Sequence, residues 1–179
     1  MTVPIEFLAG ALAAWLGERI GADDVTVSGF ARPAAGQSSD NVLFDALANG
    51  RVEHLVLRRQ TEGTTIFRDP DVCREARVLQ GLSAADMRVP KVRWIEPSSA
   101  VLGAPFFVMD RVQGRVPLGK PSIHTAGWLP TLTRAERERL WSSALDVLVS
   151  VHAVPWRSSH DFLLDGDPMA ATVGADTKS

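Results

Sequence analysis

Apolar residues recur at helical spacing in the first and middle parts of the chain. At the start, this spacing predicts an amphipathic helix over residues 4–20, which ends at Gly21. A second helix is predicted to begin at Asp69 and Pro70 and to run to about Leu82. Aspartate caps a helix well, and proline fits the first helical position because that residue needs no N–H partner.

A third helix is predicted near the end of the chain, where Thr133 and Glu136 form a capping box. It ends near Pro155 and carries one apolar stripe. The stripe consists of Leu140, Ala144, Val147, Leu148 and Val151, with Trp141 beside it. Such a stripe needs a partner surface, because exposed apolar patches of a few hundred Å² favour association.

Between the first two helices the period changes to that of strands. One strand begins at Val25, and two further runs of alternating apolar residues cover 41–47 and 51–58. Asn49 and Gly50 lie between the last two runs. This pair predicts a tight hairpin, because a type I′ turn needs positive φ at both of its central residues.

Two more strands follow the second helix, at 91–96 and in the apolar run 101–110. The short segment 97–100 between them predicts a tight antiparallel connection. The Gly- and Pro-containing stretch 113–122 is typical of a linker. After about Asp165 the chain lacks periodicity and large apolar residues, so we expect a disordered tail.

The predicted order of elements argues against some folds, and the bulk composition argues against some partners. Helices and strands do not alternate, which disfavours a doubly wound fold, and neither G-x-G-x-x-G nor G-x-x-x-x-G-K-[ST] occurs. The net charge of -2 gives no reason to expect nucleic acid or an anionic membrane as partner. No apolar run has the length of a membrane span, and no signal peptide is recognisable. The single cysteine, Cys73, indicates a reducing, cytoplasmic setting and is expected to be a small buried or half-buried thiol.

Four segments occur in the order of a protein-kinase-like small lobe: AAGQSSDN, LVLRR, CREARVLQGL and LGAPFFVMDRVQGRVP. The stretch VPKVRWIEPSSAVLGAPFFVMDRVQGRVP is the most specific of the matches, and VHAVPW at 151–156 adds a helix end. Together they resemble the aminoglycoside-phosphotransferase-like family. Within it, the chain is most similar to phosphotransferases related to those fused to, or encoded beside, acyl-CoA dehydrogenases. The resemblance covers roughly residues 25–160.

This resemblance implies an α+β fold whose small lobe has a five-stranded antiparallel sheet plus a helix. Residues 1–24 would form an N-terminal helix and residues 25–112 the nucleotide-binding small lobe. Residues 113–160 would form the linker and the first helix of a truncated larger lobe. A disordered tail would take up residues 161–179.

The resemblance also implies a phosphate-binding loop at the first turn. Gly36, Gln37, Ser38 and Ser39 would lie over the triphosphate, where backbone N–H groups and hydroxyls donate to phosphate oxygens. Ala35 departs from the commoner family pattern and makes this loop stiffer. Taken alone, one glycine among serines is typical of an ordinary turn.

Arg58 takes the position of the usual strand lysine of the family. Its planar guanidinium binds phosphate oxygens and stays charged, so it is a credible substitute. Strand alternation puts Val56 on the same face, where it would line an adenine pocket, and Arg59 on the opposite face, where we expect it to be solvated. Glu75 on the following helix would pair with Arg58, since no basic residue lies four positions away from it.

The end of the fifth strand corresponds to the hinge of the family. Backbone groups of Asp110 and Val112, next to Met109 and Arg111, would hydrogen-bond the base edge. Because these contacts come from the backbone, the side chains do not distinguish ATP from GTP. Phe106 and Phe107 are expected to be core residues.

The catalytic part of the family pattern is missing. The chemistry needs a loop resembling His-Gly-Asp-x-x-x-x-Asn and a later metal-binding Asp. The only asparagines are Asn41 and Asn49, so that loop is absent in its usual form. His160 and Asp161 resemble part of it, but no Gly or Asn follows where required. We expect no catalytic residue and no metal ligand in this chain.

The expected function is therefore the N-terminal, nucleotide-binding portion of an ATP-dependent phosphotransferase that acts on a small hydroxylated substrate. ATP or GTP with Mg²⁺ would be the cofactors of the full-length parent, and the chain alone is predicted to be inactive. Two alternatives stay open: a non-catalytic nucleotide- or partner-binding module, and the inactive product of a broken gene. A nucleotide is the expected partner, with no nucleic acid and no membrane, in the cytoplasm.

Overall fold

The computed structural model describes residues 4–33, 40–61, 71–116 and 122–163. The helices are α1 (Ile5–Ile20), α2 (Val72–Ala84), α3 (Arg134–Ala153) and the short α4 (Trp156–Ser159), with 3-10 turns at Leu129–Thr131 and Asp161–Leu163. The strands are β1 (Thr26–Ala31), β2 (Asp40–Ala48), β3 (Arg51–Arg59), β4 (Val92–Glu96) and β5 (Phe106–Asp110). The predicted order of elements is confirmed. Of the predicted disordered tail, residues 161–163 form a 3-10 turn, and the remainder lies outside the described residues.

The five strands form one antiparallel sheet in the order β1-β2-β3-β5-β4. The predicted hairpin joins β2 to β3, with φ of 50° at Asn49 and 73° at Gly50. Both central residues thus have the left-handed conformation that the tight turn requires. This turn pairs Ala48 with Arg51 and fixes the register along the whole of both strands.

Gly50→Ala is expected to destabilise the protein by about 1–2 kcal/mol, because a Cβ at positive φ collides with the backbone. Asn49→Gly is the matched control: it keeps the turn conformation accessible and should change stability by only a few tenths of a kcal/mol. Urea unfolding of both variants measures the difference. Equal losses in the two variants would contradict the backbone explanation.

Helices α1 and α3 agree with the sequence predictions. Gly21 ends α1 in the left-handed conformation, with φ of 69°. Thr133 caps α3, and Glu136 closes the capping box by accepting from the Thr133 backbone at 2.8 Å. Both ends follow from the local chemistry of a few residues, so the sequence is sufficient to place them.

Two boundaries were predicted wrongly. The cap of α2 is Asp71, whose carboxylate accepts from the N–H groups of Cys73 and Arg74 at 2.9 Å, so this helix begins at Val72. Residues 69 and 70 lie outside the described residues. The apolar run 101–110 is a strand only from residue 106 onwards. Residues 101–105 belong to a turn segment between β4 and β5, because Leu102 points into the core instead of continuing the strand.

Helix α1 covers one face of the sheet. Its buried residues pack against inward-facing residues of β2, β3 and β5 in the larger core, which comprises Leu8, Leu12, Trp15, Leu16, Val42, Phe44, Ala46, Leu55, Leu57, Leu102, Phe106 and Val108. Glu96 at the end of β4 anchors the helix, since it accepts from Trp15 Nε1 at 2.8 Å and from Arg19 at 2.6 Å. We call this side of the sheet the α1 face.

Helix α2 packs on the opposite side of the sheet, which we call the site face. Val72 and Ala76 of the helix meet Val92 and Phe107 of the sheet in a second, smaller core. Cys73 lies half-buried beside it, as predicted. The remainder of the site face, along β2, β3 and β5, is not covered by α2.

Helix α3 is exposed along its length. The exposed fraction is 61% for Trp141 and 50% for Leu148, so within the described residues the apolar stripe of α3 stays largely accessible to solvent. Among the described residues, none of the helices has the length and apolar character that a membrane-crossing segment needs.

Candidate functional site

Three rows of side chains extend across the site face from β2 through β3 towards β5. Strand alternation and the register place them there: Asn41 pairs with Arg58, Leu43 with Val56 and Asp45 with His54. Strand β5 continues the rows, as Arg58 pairs with Phe107 and Val56 with Met109. The outcome is a polar row, an apolar row and a second polar row on one surface.

Arg58 is the centre of the first polar row. Its Nε donates to Glu75 Oε2 at 2.7 Å, and its NH2 lies 2.7 Å from Glu75 Oε1, so carboxylate and guanidinium form a bidentate pair. Its NH1 also donates to Asn41 Oδ1 at 3.2 Å. The pair joins α2 to the sheet and holds the guanidinium in a fixed direction, with 19% of the Arg58 side chain exposed.

The apolar row consists of Leu43, Val56 and Met109. All three side chains are half-buried, which leaves an apolar strip between the two polar rows. Such a strip suits a flat, weakly polar group, because stacking it there removes apolar surface from water.

The second polar row joins Asp45, His54 and Arg111. The Asp45 carboxylate accepts from Arg111 at 2.8 Å and lies 2.7 Å from His54 Nδ1. The contact with His54, together with the positive charge of Arg111, holds the pKa of Asp45 below its usual value, although burial opposes this. Asp45 therefore stays ionised and fixes the Arg111 side chain at the end of β5.

After Met109, consecutive backbone N–H groups donate to different neighbouring segments. The N–H of Asp110 donates to the Lys91 carbonyl at 3.0 Å, and that of Arg111 to the His54 carbonyl at 3.0 Å. The Asp110 carboxylate binds Arg93 at 3.1 Å, so its side chain is engaged within the sheet. Val112 follows outside the strand and is 69% exposed.

The structure thus brings together Val56, Arg58, Glu75 and Met109 on one face, and the predicted Arg58–Glu75 ion pair is present. Asp110 and Val112 follow directly at the end of β5. The predicted phosphate loop, Gly36, Gln37, Ser38 and Ser39, lies outside the described residues.

The prediction that Arg59 is solvated was wrong. Its side chain is 7% exposed, lies 3.5 Å from Asp40 Oδ2 and donates to the Leu102 carbonyl at 3.4 Å. The physical reason is the alternation of β3, which puts Arg59 on the same side as the core residues Leu55 and Leu57. That alternation was visible in the sequence, and the Asp40 carboxylate makes the inward position tolerable for a cation.

Sequence reasoning also missed the residues that support Arg58 and Arg111. Asn41 was given no role, and Asp45 and His54 belong to no motif, but the two-residue turn at Asn49 and Gly50 sets the register of all three. The register alone would have placed Asn41 opposite Arg58 and Asp45 opposite His54. Within the described residues, no group of three or more His, Cys, Asp or Glu side chains could hold a metal ion.

Comparison with known proteins agrees with this architecture. The family model described as "Phosphotransferase enzyme family" (APH) matches residues 29–176. A solved aminoglycoside-phosphotransferase-like protein from Ralstonia eutropha JMP134 superimposes with a TM-score of 0.58 at 25% identity, over 84% of this chain and 40% of that one.

Two curated relatives are named as members of the acyl-CoA dehydrogenase family. Acyl-CoA dehydrogenase family member 10 of Mus musculus is 29% identical over 126 residues, which is 69% of this chain and 11% of the relative. Acyl-CoA dehydrogenase family member 11 of Homo sapiens is 28% identical over 99 residues, which is 55% of this chain and 12% of the relative. The matched part of the chain therefore spans only 11–12% of the length of each of these relatives. With a five-stranded antiparallel sheet of kinase-like topology and a family match over most of its length, the chain belongs to the phosphotransferase enzyme family.

Proposed function

We propose that the site face binds a nucleoside triphosphate, and that the chain is the nucleotide-binding portion of an ATP-dependent phosphotransferase for a small hydroxylated substrate. The observation that carries the proposal is the bidentate pair of Arg58 and Glu75 beside an open apolar strip. A cation fixed by an internal carboxylate at the edge of an apolar surface suits a ligand with a phosphate end and a flat base.

The donors of Arg58 support a phosphate role. A guanidinium has five N–H donors, and Glu75 and Asn41 engage its Nε, NH2 and NH1 with one bond each. One hydrogen on NH1 and one on NH2 remain for phosphate oxygens. Because Glu75 and Asn41 already fix the side chain, little of its conformational entropy is lost when a nucleotide binds.

The base would lie against Val56 and Met109. Its edge would meet the backbone carbonyl of Asp110 and the backbone N–H of Val112, contacts that ATP or GTP can both make. Gly36 to Ser39 would cover the phosphates from the first turn. Asp45 and Arg111 would close the outer end of the base site, since their ion pair stands directly beyond the apolar row.

The phosphoryl transfer itself is assigned to no residue of this chain. In this family Mg²⁺ would neutralise charge on the phosphates, and the described residues offer no cluster for it. The loop His-Gly-Asp-x-x-x-x-Asn does not occur in the 179 residues. We therefore propose that this chain binds nucleotide, in the cytoplasm, and that turnover belongs to a full-length parent with the larger lobe.

Arg58→Ala is expected to weaken ATP binding about 10–100-fold, since hydrogen bonds to a charged group contribute roughly 1.5–3 kcal/mol. Isothermal titration with ATP, with and without Mg²⁺, measures the dissociation constant. Arg51→Ala is the matched control, because Arg51 is exposed at the far end of the same strand. Equal weakening in the two variants, or no binding by the unchanged chain at millimolar ATP, would refute the site.

A second function is favoured by a separate observation, the exposed stripe on α3. A cleft of about 430 Å³ lies between this helix and the segment before it, lined mainly by apolar residues such as Leu129, Leu140 and Trp141. A partner-binding module without catalysis would use such a surface. A stable complex without nucleotide binding would favour this module, whereas a molten chain without a cooperative melt would indicate the inactive product of a broken gene.

A further inference from the structure

Helix α2 is attached to the sheet by few large side chains. Of its thirteen residues, only Val72 and Ala76 are buried, and both lie in the first half. The second half carries no basic residue in its last turn and contains Gly81, which weakens a helix interior relative to alanine. Beyond Ala76, the partly buried Leu79 also packs against the smaller core, so the sheet supports the C-terminal half of α2 less firmly than the first half, which carries Glu75.

The segment of residues 155–163, here called the clasp, contacts α2. Its His160 is only 4% exposed, although it lies far from both cores in the sequence. His160 Nε2 lies 3.1 Å from the Val78 carbonyl and Nδ1 lies 2.7 Å from Ser159 Oγ. Because a carbonyl only accepts, Nε2 carries a proton and donates it to the Val78 carbonyl. Phe162 adds a contact, with its ring centroid 3.9 Å from Arg77 Cζ.

Gly81 is the position that permits this contact. A Cβ there would lie 2.8 Å from both Cε1 and Nε2 of His160 and 3.1 Å from the Ser159 carbonyl. Atoms do not approach this closely, so any side chain at position 81 would push the clasp away from the helix. A glycine in the interior of α2 is thus explained by the imidazole that packs on it.

We propose that the clasp is a positioning device for α2, with His160 as its positioning residue, and that it sets nucleotide affinity through the Glu75–Arg58 pair. The inference rests on the proposed nucleotide site. Arg77 and Val78, which the clasp contacts, lie within one helical turn of Glu75. Because the contacts of the clasp lie on the turn that follows Glu75, releasing them would shift that turn and with it the carboxylate that orients Arg58.

Two variants of the full chain test the clasp. Gly81→Ala displaces the clasp by a collision, and His160→Ala removes the imidazole without creating one. Each is expected to weaken ATP binding about 3–30-fold, the range of energetic coupling carried through packed elements. Gly10→Ala, at a helical glycine with open space around it, and Leu163→Ala, at an exposed clasp residue, are the controls and should leave the affinity within twofold.

A double-mutant cycle separates positioning from general damage. If the clasp acts through Glu75, His160→Ala should weaken binding little further in a protein that already carries Glu75→Ala. The same loss in both backgrounds would overturn the proposal, because the clasp would then act elsewhere. Unchanged affinity in both clasp variants would overturn it as well.

The single cysteine supplies a readout that does not depend on nucleotide. Cys73 lies half-buried on α2 beside the sheet, so a thiol reagent labels it faster when the helix loosens. We expect faster labelling in Gly81→Ala and His160→Ala than in the controls. If the unchanged chain binds no ATP, the proposed function fails, and the labelling rates alone then decide whether the clasp holds α2; equal rates would refute it.

Discussion

Phe44→Ala is expected to lower the free energy of unfolding by about 3–5 kcal/mol, the usual effect of truncating a buried aromatic residue. Phe44 is fully buried on the α1 face, at the centre of β2. Its ring lies 6.1 Å from that of Phe30, nearly parallel to it, and truncation would leave a cavity beneath α1. Urea denaturation followed by tryptophan fluorescence measures the change.

Phe7→Ala provides the comparison for this variant. Phe7 lies on α1 with 55% of its surface exposed, so its removal should change stability by about 0.5 kcal/mol or less. If the two variants lost equal stability, the core would not lie between α1 and the sheet. Since Phe44 points away from the site face, ATP binding by the folded Phe44→Ala protein should be unchanged.

The parts of the fold that local chemistry determines could be predicted from the sequence. The Asn49-Gly50 turn needs two positive φ angles, and the capping box at Thr133 pairs a hydroxyl with a carboxylate three residues on. Neither depends on distant residues. The start of α2 was misplaced because Asp69 and Asp71 are equally good caps by residue type, and only the geometry selects the second.

Other features depend on contacts between distant parts of the chain. Leu102 belongs to an apolar run typical of a strand, yet it lies in a turn and packs into the core. Its apolar side chain reflects burial and not the alternation of a strand. Arg59 is tolerated inside because Asp40 and the Leu102 carbonyl face it. No local sequence pattern predicts that a carbonyl 43 residues away accepts a hydrogen bond from Arg59.

Some contacts of the candidate site were likewise predictable from the sequence, and others depend on distant parts of the chain. Arg58 and Glu75 were identified through the family resemblance, and Asn41 follows from the hairpin register. The contact between Arg111 and Asp45 spans 66 positions and needs the complete sheet order, which periodicity does not supply. The nucleotide roles of Val56, Met109, Asp110 and Val112 stay predictions that the binding experiments test.

Glu96→Ala is expected to lower the free energy of unfolding by about 2–4 kcal/mol, because it leaves the buried Trp15 N–H and the partly buried Arg19 guanidinium without their acceptor. The Glu96 side chain is 11% exposed, and it accepts from Trp15, Arg19 and the backbone N–H of Ser98. These bonds join α1 to the end of β4. Glu18→Ala, at a side chain that is 80% exposed, should cost about 0.5 kcal/mol or less in the same unfolding experiment.

The stability of the protein should also depend on pH through Glu96. The hydrogen bond from Trp15, together with the Ser98 N–H and the charge of Arg19, lowers the pKa of Glu96 in spite of its burial. A group whose pKa is lower in the folded than in the unfolded protein stabilises the fold above the unfolded pKa, here about 4.5. That contribution is lost as the pH falls through the folded value.

Glu96→Gln isolates this effect, because glutamine keeps the shape of the side chain but does not titrate. Unfolding of both proteins at a series of pH values from 7 down to the acid limit of folding would measure it. We expect the difference in stability between them to be largest at neutral pH and to shrink below the ordinary pKa of a glutamate. A difference that stays constant with pH would mean that the charge of Glu96 is not what holds α1 on the sheet.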